Sequence, residues 1–90
     1  MYTIGNRMGV TVLNERVSVL GKFEAGKLLP VLLRWRGRRY WVQKLNLHHE
    51  RAEGGDRLHF YSVTTDAGEC VLRYSRNDFS WTLEEVGFGG

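Results

Sequence analysis

The sequence holds one cysteine, one proline and no long apolar run, and each scarcity closes off a class of protein. A lone Cys70 cannot form an internal disulfide, and it cannot anchor a zinc site built on several thiolates. One unpaired thiol fits a reducing compartment, so the expected location is the cytoplasm. The main apolar stretches, residues 17–20 and 28–33, fall far short of the roughly 20 residues that a membrane-spanning helix needs, and no membrane partner is expected. Residues 1–9 carry no basic segment followed by an apolar core, which argues against a cleaved secretory leader. The end at Gly90 offers no cysteine box for prenylation. A stripe of apolar residues at helical spacing over three turns is also missing, which leaves strands as the regular structure.

Strand signals are abundant. Val17 and Val19 alternate with polar neighbours, and Leu29, Val31, Leu33 and Trp35 recur at spacing two, the period of a half-buried strand. Pro30 cannot donate to a ladder, so it belongs near a strand start or on an edge. Tyr40 and Val42 fall on one parity and Leu45 and Leu47 on the other. A bulge near Gln43 and Lys44 would bring all four to the core side, because one inserted residue flips the facing. Residues 58–65 are rich in aromatic and β-branched types, residues 69–74 form a further strand, and Phe79, Trp81 and Leu83 are expected on one face of the last. Turns are marked by residues 24–27, Arg36-Gly37, Gly54-Gly55, residues 66–68 and residues 75–78.

Six strands at short, regular spacing predict a single all-β domain over residues 15–86. An antiparallel meander of this length curls into a small barrel or tight sandwich, since closure removes exposed edges. Residues 1–14 are expected as a flexible tail, and so is the glycine-rich segment 87–90. The expected core is Val17, Val19, Val31, Leu33, Trp35, Tyr40, Val42, Leu45, Leu47, Tyr61, Val63, Val71, Trp81 and Leu83, with Phe60 as the alternative to Tyr61.

Several segments imitate functional motifs. Residues 21–27 show the G-x-x-x-x-G-K spacing of a phosphate loop. Leu28 stands where a magnesium-ligating hydroxyl is required, however, and Leu-Leu-Pro-Val follows where a helix must open. The segment is expected as a hairpin turn. Around a two-residue Gly54-Gly55 turn, Glu50 opposes His59 and His49 opposes Phe60. The pattern does not by itself assemble three metal ligands, so His48, His49 and His59 are expected on an exposed strand pair with a Glu50–His59 contact, and no metal or cofactor is expected. Cys70 follows Glu69, which disfavours a thiolate nucleophile. No catalytic residue is expected, and the protein is not expected to be an enzyme.

Charge is uneven along the chain. Residues 15–51 carry nine basic residues against three acidic ones, whereas residues 52–90 carry three against seven. Such polarity points to an anionic partner or to self-association. Its focus is Arg34-Trp-Arg-Gly-Arg-Arg-Tyr-Trp41, where Arg34, Arg36, Arg38 and Arg39 crowd one tight hairpin, with Trp41 expected outside and Lys44 extending the patch. Guanidinium groups bind phosphates in a bidentate fashion and exposed aromatic faces stack on bases. Arg34, Arg36, Arg38, Arg39, Trp41 and Lys44 are therefore the candidate nucleic-acid-binding residues. The alternative is a solvated hairpin in a protein-interaction module, meeting a partner protein or a second copy through a free strand edge.

The run from Pro30 to Val42, followed by Phe60-Tyr-Ser-Val-Thr-Thr-Asp-Ala-Gly68 and then Trp81-Thr-Leu83, resembles a short bacterial all-β domain of unknown function. That domain occurs alone or attached to Y-family DNA polymerase-like proteins. The likeness spans about residues 15–86 and departs at Leu47-His48-His49, where the family has an aromatic-rich segment. It implies a small accessory module near DNA repair or damage-tolerant synthesis and carries over no catalytic residue.

Overall fold

The computed structural model describes residues 9–88. It contains six strands: β1 (Thr11–Glu24), β2 (Lys27–Trp35), β3 (Arg38–Glu53), β4 (Asp56–Thr65), β5 (Gly68–Ser75) and β6 (Ser80–Phe88). Each pairs antiparallel with the next, and β6 pairs back onto β1, closing the sheet into a barrel in chain order. The expected all-β meander is found. Among the described residues no helix is long and apolar enough to cross a membrane.

The hairpins follow from local backbone chemistry. Ala25-Gly26, Arg36-Gly37 and Gly54-Gly55 all take positive φ at both turn positions, the primed geometry whose twist matches paired strands. The segment that imitates a phosphate loop is thus the β1–β2 turn. Gly54-Gly55 sets the β3–β4 register as expected, with Glu50 opposite His59 and His49 opposite Phe60.

Bulges let the sheet turn its corners. Val31 is the extra residue on β2 where Leu20 pairs with Leu32 and Gly21 with Pro30. Glu84 is the extra residue on β6, and its carboxylate holds Arg73 at 2.7 Å. In consequence β1 gives residues 11–17 to β6 and residues 18–24 to β2. Likewise, β3 gives residues 38–41 to β2 and the rest to β4. Residues 27–30 of β2 therefore pair with β1 and have no ladder to β3. The Tyr61 hydroxyl crosses this seam and donates to the Leu28 carbonyl at 2.6 Å.

Leu33, Tyr61, Val63, Cys70, Leu72, Trp81, Leu83 and Val86 form the buried core, flanked by Val17, Val19, Trp35, Tyr40, Val42 and Phe88. Several expectations are corrected. The bulge expected near Gln43 occurs and sets Leu45 opposite Val63, but a second irregularity before Leu47 restores the original facing. Leu47 is consequently exposed, His48 takes the inward place opposite Tyr61, and Leu45 is itself 39% exposed. Val71 pairs with Ser62 and Glu85 on the outer face, only partly buried, while Cys70 and Leu72 point inward. Val31, spent on the bulge, is only partly buried. Phe60 does not replace Tyr61. Both are buried on opposite faces, Phe60 beneath the Arg51 guanidinium (4.8 Å) and the stacked His49 ring (5.0 Å). Phe79 adopts φ 55° in the β5–β6 turn and is exposed, so it does not share the face of Trp81.

The ends also differ from expectation. Residues 11–14, expected in a tail, belong to β1, and residues 1–8 lie outside the described residues. At the other end β6 continues through Gly87 and Phe88. The Phe88 ring packs on Tyr40 (4.8 Å) and Trp35 (5.9 Å), which supplies the docking that glycine-rich backbone needs. The expected tail residues 89–90 fall outside the described residues.

Candidate nucleic-acid interface

The β2–β3 hairpin carries the candidate residues, and its ladder sorts them. Arg34 lies directly opposite Arg39, Leu32 opposite Trp41, and Trp35 opposite Arg38. Alternation sends Trp35 and Tyr40 inward, so Arg34, Arg39 and Trp41 share the outer face. Ser18 and Leu20 of β1 extend these two rows, giving Ser18–Arg34–Arg39 beside Leu20–Leu32–Trp41. Successive outward residues on a strand lie about 6.6 Å apart, which sets the spacing between the cationic and apolar rows. Beyond the bulge at Gln43, Lys44 returns to the outer side opposite Thr64.

Trp41 is 52% exposed, as expected for the aromatic facing outward. Arg34, Arg38, Arg39 and Lys44 are all exposed, and none forms an ion pair among the described residues. Arg34 and Arg39 bring like charges together across a ladder, an arrangement that destabilises a sheet by roughly 0.2–1 kcal/mol. An anion bridging the two guanidinium groups would reverse that sign.

Arg36 behaves differently from the other arginines. It occupies the first turn position at φ 52° and folds back so that Nη2 meets Glu15 Oε2 at 2.7 Å, with the guanidinium 4.6 Å from the Trp35 ring. Trp35 Nε1 donates to the other oxygen, Glu15 Oε1, at 2.9 Å. The Trp35 and Arg36 hydrogen bonds hold the Glu15 carboxyl below the usual carboxylate range. Arg36 is therefore a clasp for the hairpin. The six candidates thus divide: Arg34, Arg39, Trp41 and Lys44 share a face, Arg38 stands at the rim on the other parity, and Arg36 is withdrawn by Glu15. Sequence reasoning did not single out Leu20 and Leu32, whose outward facing follows from plain alternation with Val19 and Leu33 inward.

A second cluster lies on the inner face of the β3–β4 hairpin. His48 Nε2 is 3.0 Å from His59 Nδ1, and the Glu50 carboxylate completes a group whose ligand atoms all lie within 4.8 Å of one another. His49 is on the other face, as the register predicts. The signal was in the turn: the spacing that opposes Glu50 to His59 also puts His48 on the side of Glu50. Cys70 is 3% exposed, and burial pushes its thiol up to about 12.

Neither a family model, nor a curated protein, nor a solved structure matches this chain.

Proposed function

We propose that this barrel is a non-enzymatic module that contacts single-stranded nucleic acid through the outer face of its β2–β3 hairpin. One observation carries the reading. An exposed tryptophan shares a face with three cations, Arg34, Arg39 and Lys44, that have no acidic partner among the described residues. A base stacks on Trp41, which is sequence-tolerant because every base has a π-face, while the arginines and Lys44 take the adjoining phosphates. The likeness to a bacterial module near damage-tolerant DNA synthesis points the same way, and the free thiol of Cys70 suits a cytoplasmic setting.

Fluorescence anisotropy with labelled single- and double-stranded oligonucleotides tests the reading. With three phosphate contacts, raising salt from about 50 to about 200 mM should weaken single-strand binding roughly 20-fold. Trp41→Ala should cost about 1–3 kcal/mol of binding and remove the tryptophan quenching. The Arg34→Ala/Arg39→Ala pair should flatten the salt slope, whereas Arg36→Ala should change binding less than either. Absence of binding at low salt, or equal binding by the Trp41 and paired arginine variants, refutes the proposal.

A second reading rests on Leu20, Leu32 and Trp41, which line up across three strands as an apolar strip. Such a strip suits a partner protein or a second copy of the chain. It predicts a concentration-dependent mass or capture of a partner, unaffected by added oligonucleotide. A strict monomer without a protein partner argues against it.

A further inference from the structure

We propose that His48, Glu50 and His59 form a binding site for a divalent first-row transition-metal ion such as zinc, independent of the arginine face. His48 and Glu50 are two residues apart on one side of β3, and His59 on β4 lies directly opposite Glu50. This brings two imidazole nitrogens and one carboxylate to a single point on the inner face of the hairpin. The 3.0 Å between His48 Nε2 and His59 Nδ1 is the separation of adjacent ligands at metal–nitrogen bonds of about 2.0–2.1 Å, where neighbouring donors lie roughly 2.9–3.4 Å apart. The nitrogens need no approach. Glu50, exposed and farther off, must move in by about 1 Å or a little more, within reach of a side-chain rotation.

The surroundings suit ligands more than spectators. The Tyr61 ring lies flat on His48 (centroids 4.5 Å apart, planes 10° apart), fixing the plane in which Nε2 projects. The Arg57 guanidinium holds Glu50 Oε1 at 3.2 Å and leaves Oε2 for an ion. Two imidazoles and a carboxylate without sulfur favour zinc, cobalt, nickel or copper over calcium or magnesium. Three protein ligands on one side leave at least one coordination position for water. Without an ion, the facing nitrogens share a single proton in an N–H···N hydrogen bond. Binding moves that proton to the far nitrogen of its own ring, so both lone pairs reach the metal.

The test is a titration of the untagged full chain with zinc chloride, followed by calorimetry and thermal unfolding, and with cobalt chloride, followed by visible absorption. The expected result is one ion per chain and a rise in Tm on the order of 10 °C at a hundredfold excess over Kd. His49→Ala, which removes the histidine on the opposite face, should bind like the parent chain. His48→Ala and His59→Ala should lose binding, and Glu50→Gln should weaken it at least ~10-fold. Should the alanine variants fail to fold, imidazole NMR of the parent chain decides: zinc must move the His48 and His59 ring signals and leave His49 in place. No zinc-dependent change in the parent chain, binding that survives loss of both His48 and His59, or a shift confined to His49 overturns the proposal. The pair is then a hydrogen-bonded imidazole couple only.

Discussion

Removing one oxygen atom from the core tests how the barrel seals its seam. Tyr61 is completely buried, and its hydroxyl donates to the Leu28 carbonyl at 2.6 Å, where β2 has no ladder to β3. Tyr61→Phe keeps the ring and its packing on His48 and Trp81 (centroids 4.5 and 5.5 Å), so no cavity of side-chain size opens. The loss is one hydrogen bond, worth about 1 kcal/mol net, and it rises to about 3 kcal/mol if water cannot reach the orphaned carbonyl. In a domain of this size each kcal/mol shifts Tm by roughly 4–8 °C. The expected fall is therefore on the order of 5–20 °C, read by circular dichroism melting and checked by urea denaturation. Tyr40→Phe is the control, since the Tyr40 hydroxyl bonds no described residue, and it should melt like the parent. If Tyr61→Phe also melts within about 1 °C of the parent, the seam is not held by that bond and the reasoning fails.

Two further outcomes follow from burial and from backbone approach. Burial pushes the Tyr61 phenol from an ordinary 10.0 to about 12 and the Cys70 thiol from 9.0 to about 12. The unfolded chain then releases these protons first, so the contribution of these two groups to stability is fully present below pH 9 and falls as pH rises from 9 through about 12. A melting temperature that stays flat between pH 8 and 11 contradicts this. Gly68→Ala should lower the urea midpoint sharply, by an amount equivalent to about 2 kcal/mol or more, because φ is +138° and the new Cβ would sit 2.7 Å from the Gly87 carbonyl oxygen. An unchanged midpoint would show that β5 and β6 separate there at little cost.

Much of this architecture was legible because it is local. Alternation marked the strands, and Gly54-Gly55 fixed the β3–β4 pairing down to Glu50 opposite His59. The outward facing of Trp41 followed from Tyr40 and Val42 lying inward. What escaped the sequence depends on partners distant along the chain. Nothing near Arg36 announces that Glu15 will take it, since the two are 21 residues apart. Parity from Val42 to His48 turns on two irregularities. The second falls at Asn46, whose amide donates to the Thr64 hydroxyl at 2.9 Å, a contact that only the assembled sheet creates. Leu47 lost its inward place and His48 gained one through that single step. Phe88 likewise became part of the barrel only because Trp35 and Tyr40 were there to receive it.

The division of β1 and β3 between neighbours has a mechanical consequence. Each strand pairs with one partner along its first part and another along its second, changing hands at Val17/Ser18 and at Trp41/Val42. The two halves of the barrel are thus joined by two continuous backbones as well as by packed side chains. Neither half can swing on the other, and β2 cannot leave without unzipping parts of strands that the opposite wall also needs. Such a molecule melts as one cooperative unit. Trp41 stands at one of these junctions, so whatever docks there meets an unyielding surface.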